Sequence, residues 1–213
     1  MNMMTFNPDA AKEADQLNSA IKEAGKYICT ITRAEKLLSE KGTHGLGLSV
    51  KSDDGQTADY LDLYTVNASG DALPSYKTVQ AMLGCLQLRE AKEGKIKCVK
   101  YNKDTKAREE VVVDGYPEMM GKKIGLLLQK ELATNNKNGN DVEHMIVFGV
   151  FQADTELTVS EILARKTSPE TLPKMVEALM ARPIRDSRKR VSSGTNAPAN
   201  TGSAPHFEDD IPF

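Results

Sequence analysis

Apolar and polar residues alternate along much of the chain, in segments that are bounded by turn residues. Over 25–36, apolar side chains two positions apart fall on one side of an extended chain, and two more alternating segments follow over 46–50 and 57–66. Because successive side chains of a strand point to opposite faces, this spacing predicts three consecutive strands. The short turns between them favour antiparallel pairing.

The spacing of apolar residues changes after the third predicted strand. Over 74–88 they recur every three or four positions, which predicts a helix inside the β-rich part of the chain. The pattern then predicts a polar, basic hairpin over 95–113, strands over 123–132 and 143–153, and helices over 159–166 and 171–181. We therefore expect a mainly β fold with added helices, built around a five-stranded antiparallel barrel.

The two ends of the chain differ from this central part. An Asn-Pro-Asp start and apolar residues at helical spacing predict a short helix over 1–24. Residues 182–190 hold five basic side chains and one acidic one, and residues 191–205 hold no charged side chain. Since such a composition cannot form a packed core, residues 182–213 are predicted to form a flexible tail after a folded domain over 25–181.

The net charge of −2 is a sum over parts of opposite sign. Residues 1–181 carry 23 basic and 26 acidic residues, residues 182–190 carry +4, and residues 206–213 carry −3. A near-neutral total argues against a uniformly basic nucleic-acid-binding surface. Any basic surface on the domain must therefore be local.

The spacing of potential metal ligands and of apolar residues excludes several classes of protein. The residues concerned are Cys29, Cys85, Cys98, His44, His144 and His206. Their separation fits neither a disulfide framework nor a zinc site, so we expect reduced, buried thiols, no metal and no cofactor. No apolar segment reaches the roughly 18 residues that span a bilayer, and no signal-peptide pattern is present, so we expect a cytoplasmic protein without membrane contact.

The last residues combine charge with apolar anchors. Asp209 and Asp210 precede Ile211, Pro212 and Phe213 on the uncharged tether. A basic-rimmed pocket with an apolar floor could bind such a segment, with an arginine on the carboxylates and the aromatic ring buried. These five residues are therefore predicted to bind a protein partner.

This ending resembles the acidic C-terminal tip of bacterial-type single-stranded DNA-binding proteins. The opening of the domain, G-K-Y-x-x-x-I-x-x-A-E-K over 25–36 with S-x-K-G-T over 39–43, resembles phage and prophage proteins proposed to bind single strands. The second resemblance extends over about 25–151. It implies an oligonucleotide/oligosaccharide-binding (OB) fold and location in the host cytoplasm. The resemblance of the tip implies recruitment of replication, recombination and repair proteins.

Sequence-neutral binding of single strands needs cations for the phosphates and flat rings for the bases. The candidate cations are Arg33, Lys51, Lys77, Lys97, Lys100, Lys103, Lys106, Arg108, Lys122, Lys123 and Lys130, and the candidate rings are Tyr60, Tyr64, Tyr76, Tyr101 and Tyr116. Five of these cations and Tyr101 lie on the predicted basic hairpin, which could clamp a backbone. Few aromatic residues and no tryptophan favour several modules acting together, so a homodimer is expected.

Catalysis has little support in the sequence. No G-x-x-x-x-G-K-[ST] segment is present for nucleotide phosphates, and the carboxylates of Asp53, Asp54, Asp59 and Asp62 are interpreted as solvated turn and strand positions. We therefore expect a non-enzymatic protein that binds single-stranded DNA without sequence preference, protects it and recruits partners. The alternative is a recombination adaptor or strand-annealing protein whose domain binds mainly protein.

Overall fold

Eight strands and three helices form the part of the chain that the structure describes. The structure is a computed structural model, and it describes residues 20–102, 104–135 and 138–188. The strands are β1 (Gly25–Leu38), β2 (His44–Ser52), β3 (Thr57–Val66), β4 (Gly94–Asn102), β5 (Ala107–Gly115), β6 (Lys123–Thr134), β7 (Asp141–Phe151) and β8 (Ile184–Asp186). The helices are α1 (Pro74–Cys85), α2 (Val159–Leu163) and α3 (Thr171–Ala181), and a 3-10 turn covers Pro117–Met119.

The long strand β1 is shared by two groups of strands. One edge pairs with β2, which pairs with β3, and both pairings are antiparallel. On the other edge, the first part of β1 pairs with β6, and Glu35 pairs with Gly115 at the end of β5. β6 also pairs with β7, while β4 and β5 form a hairpin. β3 and β7 lie close together, and α1 packs against both of them.

The main core fills the space that these strands enclose. It contains Ile31, Leu48, Leu61, Met82 and Leu126, each at most 1% exposed. A second apolar cluster lies on the other side of β6, where Leu127 and Phe151 pack against Leu172 and Leu179 of α3. Strand β6 is therefore buried on both faces, which explains its continuous apolar run.

A buried carboxylate joins the two C-terminal helices. The side chain of Glu161 in α2 accepts hydrogen bonds from the Thr158 hydroxyl and from the backbone amides of Thr158, Glu170 and Thr171. Burial alone would raise the pKa of Glu161, but these four donors lower it to about 2. The charged side chain thus accepts hydrogen bonds from backbone amides at the N-termini of both helices, which have no partner within the helix.

The prediction of a mainly β, antiparallel fold with added helices is confirmed. Strands β1 to β7 correspond to the seven predicted strands. The eighth strand, β8, lies within the predicted tail and pairs in parallel with β6. Residues 20–24, predicted as the end of a helix, are not helical, and Ala20 forms a bridge with Thr57. The rest of that predicted helix and residues 189–213 of the predicted tail lie outside the described residues.

No helix in the described ranges is long and apolar enough to cross a membrane.

Candidate functional site

The hairpin of β4 and β5, which we call the arm, has two different faces. Ile96 and Cys98 are buried and lie on one face of β4. Val99 and Tyr101 lie on its other face and are about half exposed, at 53% and 50%. The arm meets β1 at Gly115, where an added Cβ would lie 2.3 Å from a backbone oxygen. This close approach explains why glycine is needed there.

Two irregularities in the sheet flank Ser49 of β2. In β1 the register shifts so that Thr32 is an extra residue, and in β3 both Asp59 and Tyr60 oppose Ser49. Tyr60 adopts φ +59°, a left-handed conformation that a tyrosine rarely takes, and its side chain is 52% exposed. Because bulges redirect side chains, they explain why Thr32, Asp59 and Tyr60 face the arm.

Arg33 lies beneath the Tyr60 ring. Its guanidinium carbon is 5.0 Å from the ring centroid, and the residue is only 3% exposed. Its Nη1 donates to Glu35 at 3.0 Å, and its Nη2 donates to the Leu48 carbonyl at 3.3 Å and lies 3.8 Å from Asp62. Arg33 therefore supports one face of Tyr60 rather than offering a free charge to a ligand.

Three cavities meet between the arm and the sheet. One of about 600 Å³ lies between the arm and β2, and one of about 540 Å³ lies between β3 and β7. A third, of about 20 Å³, is lined by both Tyr60 and Tyr101. Asp59 and Arg108 line all three cavities and form an ion pair of 2.9 Å. We call this continuous surface the arm groove.

Positive charge exceeds negative charge along the arm groove. Arg33 aside, its lining contains six cations and three carboxylates, namely Lys22, Lys51, Lys97, Lys100, Arg108 and Lys130 against Asp59, Glu110 and Glu143. Lys51 has no ion pair within the described ranges, whereas Lys97 lies 3.4 Å from Glu110 and Lys100 is 3.0 Å from Glu35. The surface is therefore moderately rather than strongly basic.

The structure brings together about half of the predicted DNA-binding residues. The arm groove contains Arg33, Lys51, Tyr60, Lys97, Lys100, Tyr101, Arg108 and Lys130. Tyr64 is exposed on the same strand as Tyr60, but Tyr64, Tyr76 and Tyr116 line none of these cavities. Lys106 lies at the tip of the arm. Lys103 and the predicted partner-binding residues Asp209, Asp210, Ile211, Pro212 and Phe213 lie outside the described residues.

Three predicted cations lie away from the arm groove. Lys77 is on α1, whereas Lys122 and Lys123 line a separate cavity beside Gln152. Lys123 is also 3.0 Å from Asp53. Any role of these lysines in the same binding event would need a ligand that extends around the domain.

The sequence interpretation missed Asp59 as part of the site, because strand alternation alone marked it as a solvated position. His144 was missed as well, since it does not belong to a ligand motif; it lines the cavity between β3 and β7 and its Nε2 is 2.9 Å from Glu131. Val99, an apolar residue of the arm, also lines the groove. The alternation of side chains along a strand could have placed Val99 and Tyr101 on the same face of the arm.

The cysteines are consistent with structural roles. All three are buried as free thiols. Burial raises the pKa of Cys29 to about 12, with help from Asp53 and Asp54, and raises that of Cys85 to about 11. Among the described residues, no group of three potential ligands is placed to hold a metal ion.

Neither a model of a known protein family nor a curated protein matches this chain.

Proposed function

We propose that this protein binds single-stranded DNA without sequence preference in the arm groove. The observation that carries the proposal is the combination of an outward-facing ring at Tyr60 with cations from several elements in one continuous groove. Phosphates of a single strand would contact Lys51, Lys97 and Arg108, and an unpaired base would stack on the open face of Tyr60. Because every base has a face that can stack and every nucleotide has a phosphate, this mode of binding is sequence-neutral.

The connectivity of the sheet supports an OB fold as part of this proposal. Strands β1, β2 and β3 form a meander, α1 lies between β3 and β7, and β6 returns to the first part of β1. In this assignment the five barrel strands are β1, β2, β3, β6 and β7. The arm is an insertion between the helix and the fourth barrel strand, and β8 is an addition.

The proposal includes recruitment of replication, recombination or repair proteins through Asp209–Asp210–Ile211–Pro212–Phe213. Its support is the acidic and apolar composition of this segment after an uncharged tether. A peptide of residues 205–213 is expected to capture such a partner, and the same peptide without Phe213 is expected to lose it. Equal capture by the two peptides would remove the recruitment claim without affecting DNA binding.

Homodimer formation remains a prediction, to be checked by light scattering.

The DNA-binding claim is tested by fluorescence anisotropy of the full chain with labelled oligo-dT over a series of salt concentrations. Lys51→Gln combined with Lys97→Gln should weaken binding and make the slope of log K against log salt less negative by up to about 1.4, since each single-strand phosphate contact contributes about 0.7. Lys77→Gln and Lys122→Gln are matched controls outside the groove, and they should leave the slope unchanged.

The same experiment separates this proposal from its alternative. Absence of salt-dependent binding by the wild-type chain would favour an adaptor whose domain binds protein. If the groove variants and the control variants weaken DNA binding equally, the DNA binds outside the arm groove. Strand annealing is a further activity of the same binding class, and an assay with complementary labelled strands tests it.

A further inference from the structure

The arm is attached to the rest of the sheet by two ion pairs within the described ranges. Lys100 is 3.0 Å from Glu35 of β1, and Arg108 is 2.9 Å from Asp59 of β3. The other ion pairs of the arm, such as Lys95 with Asp114 at 2.7 Å, join its own two strands. Together with the backbone pairing of Gly115 with Glu35, these two ion pairs hold the arm against the sheet.

The two ion pairs differ in burial. Glu35 is 13% exposed and also accepts a hydrogen bond from the buried Arg33, so it is held in place from two sides. Arg108 is 61% exposed and Asp59 is 27% exposed, so water screens their interaction more strongly. Among these contacts, the pair between Arg108 and Asp59 is the easier one to exchange for a contact with a ligand.

We propose that Asp59 is an autoinhibitory carboxylate, which occupies Arg108 until a phosphate of bound single-stranded DNA replaces it. A guanidinium group binds carboxylates and phosphates with the same two-pronged geometry, so the two anions compete for one cation. Because this pair lines all three cavities, its separation would change the lining of each of them. This inference rests on the proposed DNA binding and adds its regulation.

The proposal has a thermodynamic consequence for salt dependence. In the wild-type protein, DNA binding must free Arg108 from Asp59, which then regains counterions from solution. In Asp59→Asn, Arg108 has no carboxylate partner at position 59 before DNA binds. Its contact with a phosphate then releases the counterions of that phosphate, and none are taken up at position 59. We expect binding to tighten by about two- to fivefold at low salt, the range for one exposed ion pair, and the salt slope to become more negative by up to about 0.7.

The experiment is a double-mutant cycle measured by anisotropy with labelled oligo-dT on the full chain. The four proteins are the wild type, Asp59→Asn, Arg108→Gln and the double variant. Asp114→Asn is the matched control, because it removes the same charge from a pair within the arm. If Asp59 acts through Arg108, Asp59→Asn should tighten binding only when Arg108 is present.

The outcomes separate this inference from the proposed function. Two results would show a general effect of charge and overturn the inference. In one, Asp59→Asn tightens binding equally in the presence and absence of Arg108; in the other, Asp114→Asn tightens it as much as Asp59→Asn does. Unchanged affinity in Asp59→Asn would also overturn it. No binding by any of the variants would instead overturn the proposed function. If Asp59→Asn loses the native circular-dichroism spectrum, Asp59→Ser takes its place in the cycle.

Hydrogen exchange without DNA provides a second measurement. Loss of the pair should accelerate exchange of the β4 and β5 amides in Asp59→Asn relative to Asp114→Asn. Equal exchange in both variants would contradict a role of Asp59 in holding the arm.

Discussion

Replacing Tyr60 with alanine should weaken DNA binding much more than it affects folding. The Tyr60 ring is 52% exposed, and Arg33 covers one of its faces, which leaves the other face for one base. One stacked base contributes about 1–3 kcal/mol, so the dissociation constant should rise by roughly five- to 150-fold. Loss of the ring's contact with Arg33 should lower the free energy of unfolding by only about 0.5–1 kcal/mol.

The assay is anisotropy with labelled oligo-dT, combined with denaturation by urea. Tyr76→Ala is the matched control, because Tyr76 is 40% exposed on α1 and does not line the arm groove. Tyr60→Gly should weaken DNA binding as much as Tyr60→Ala does, but glycine adopts the φ of +59° without strain. The affinity and the free energy of unfolding should therefore change differently in this variant. Equal affinities of Tyr60→Ala and Tyr76→Ala would refute the stacking argument.

A tryptophan at the same position provides a direct readout of stacking. The chain contains no tryptophan, so Tyr60→Trp introduces a single reporter. Its ring should retain the stack, and its fluorescence should fall when oligo-dT binds. Unchanged fluorescence at saturating DNA would show that no base stacks there.

Three further predictions concern stability and reactivity. Because hydrogen bonding lowers the folded-state pKa of Glu161 to about 2, its charge stabilises the fold above the ordinary pKa near 4.5, and this stabilisation is lost as the pH falls towards 2. Urea denaturation of Glu161→Gln should therefore show a loss of up to about 3 kcal/mol at pH 7 and a smaller loss at pH 3; the same loss at both pH values would contradict this linkage. Gly115→Ala should lower the free energy of unfolding by about 1–3 kcal/mol in the same assay, because the added Cβ would meet backbone. Gly25→Ala should lower it less, because its nearest neighbour is a side-chain atom at 3.4 Å. Equal losses in the two variants would contradict the close approach of the arm to β1. Cys29 and Cys85 should react with a thiol reagent far more slowly in the native protein than in urea, and rapid native labelling of either would contradict their burial.

The sequence pattern was sufficient for elements that have one clear apolar face. β3 has the predicted bounds, and α1 begins at the predicted residue, because alternation and helical spacing are strong in these segments. β8 was not predicted, since three exposed residues among arginines carry no periodic signal. Its pairing with β6 depends on backbone contacts between segments that are far apart in sequence.

The candidate site was only partly predictable for a related reason. A count of lysines indicated a strongly basic arm, but Lys95, Lys97 and Lys100 each lie beside a carboxylate in the fold. Arg33 is buried under Tyr60, a contact that depends on the two bulges around Ser49 rather than on spacing in β1. The pair between Arg108 and Asp59 spans 49 positions and is visible only in three dimensions.

Photo-cross-linking locates the bound strand most directly. Oligo-dT that carries a photoreactive 5-iododeoxyuridine would be irradiated with the full chain, and the modified residues would be mapped by mass spectrometry. Binding in the arm groove predicts cross-links at Tyr60 and Tyr101. Cross-links confined to Tyr76 or Tyr116, which lie outside the arm groove, would contradict it.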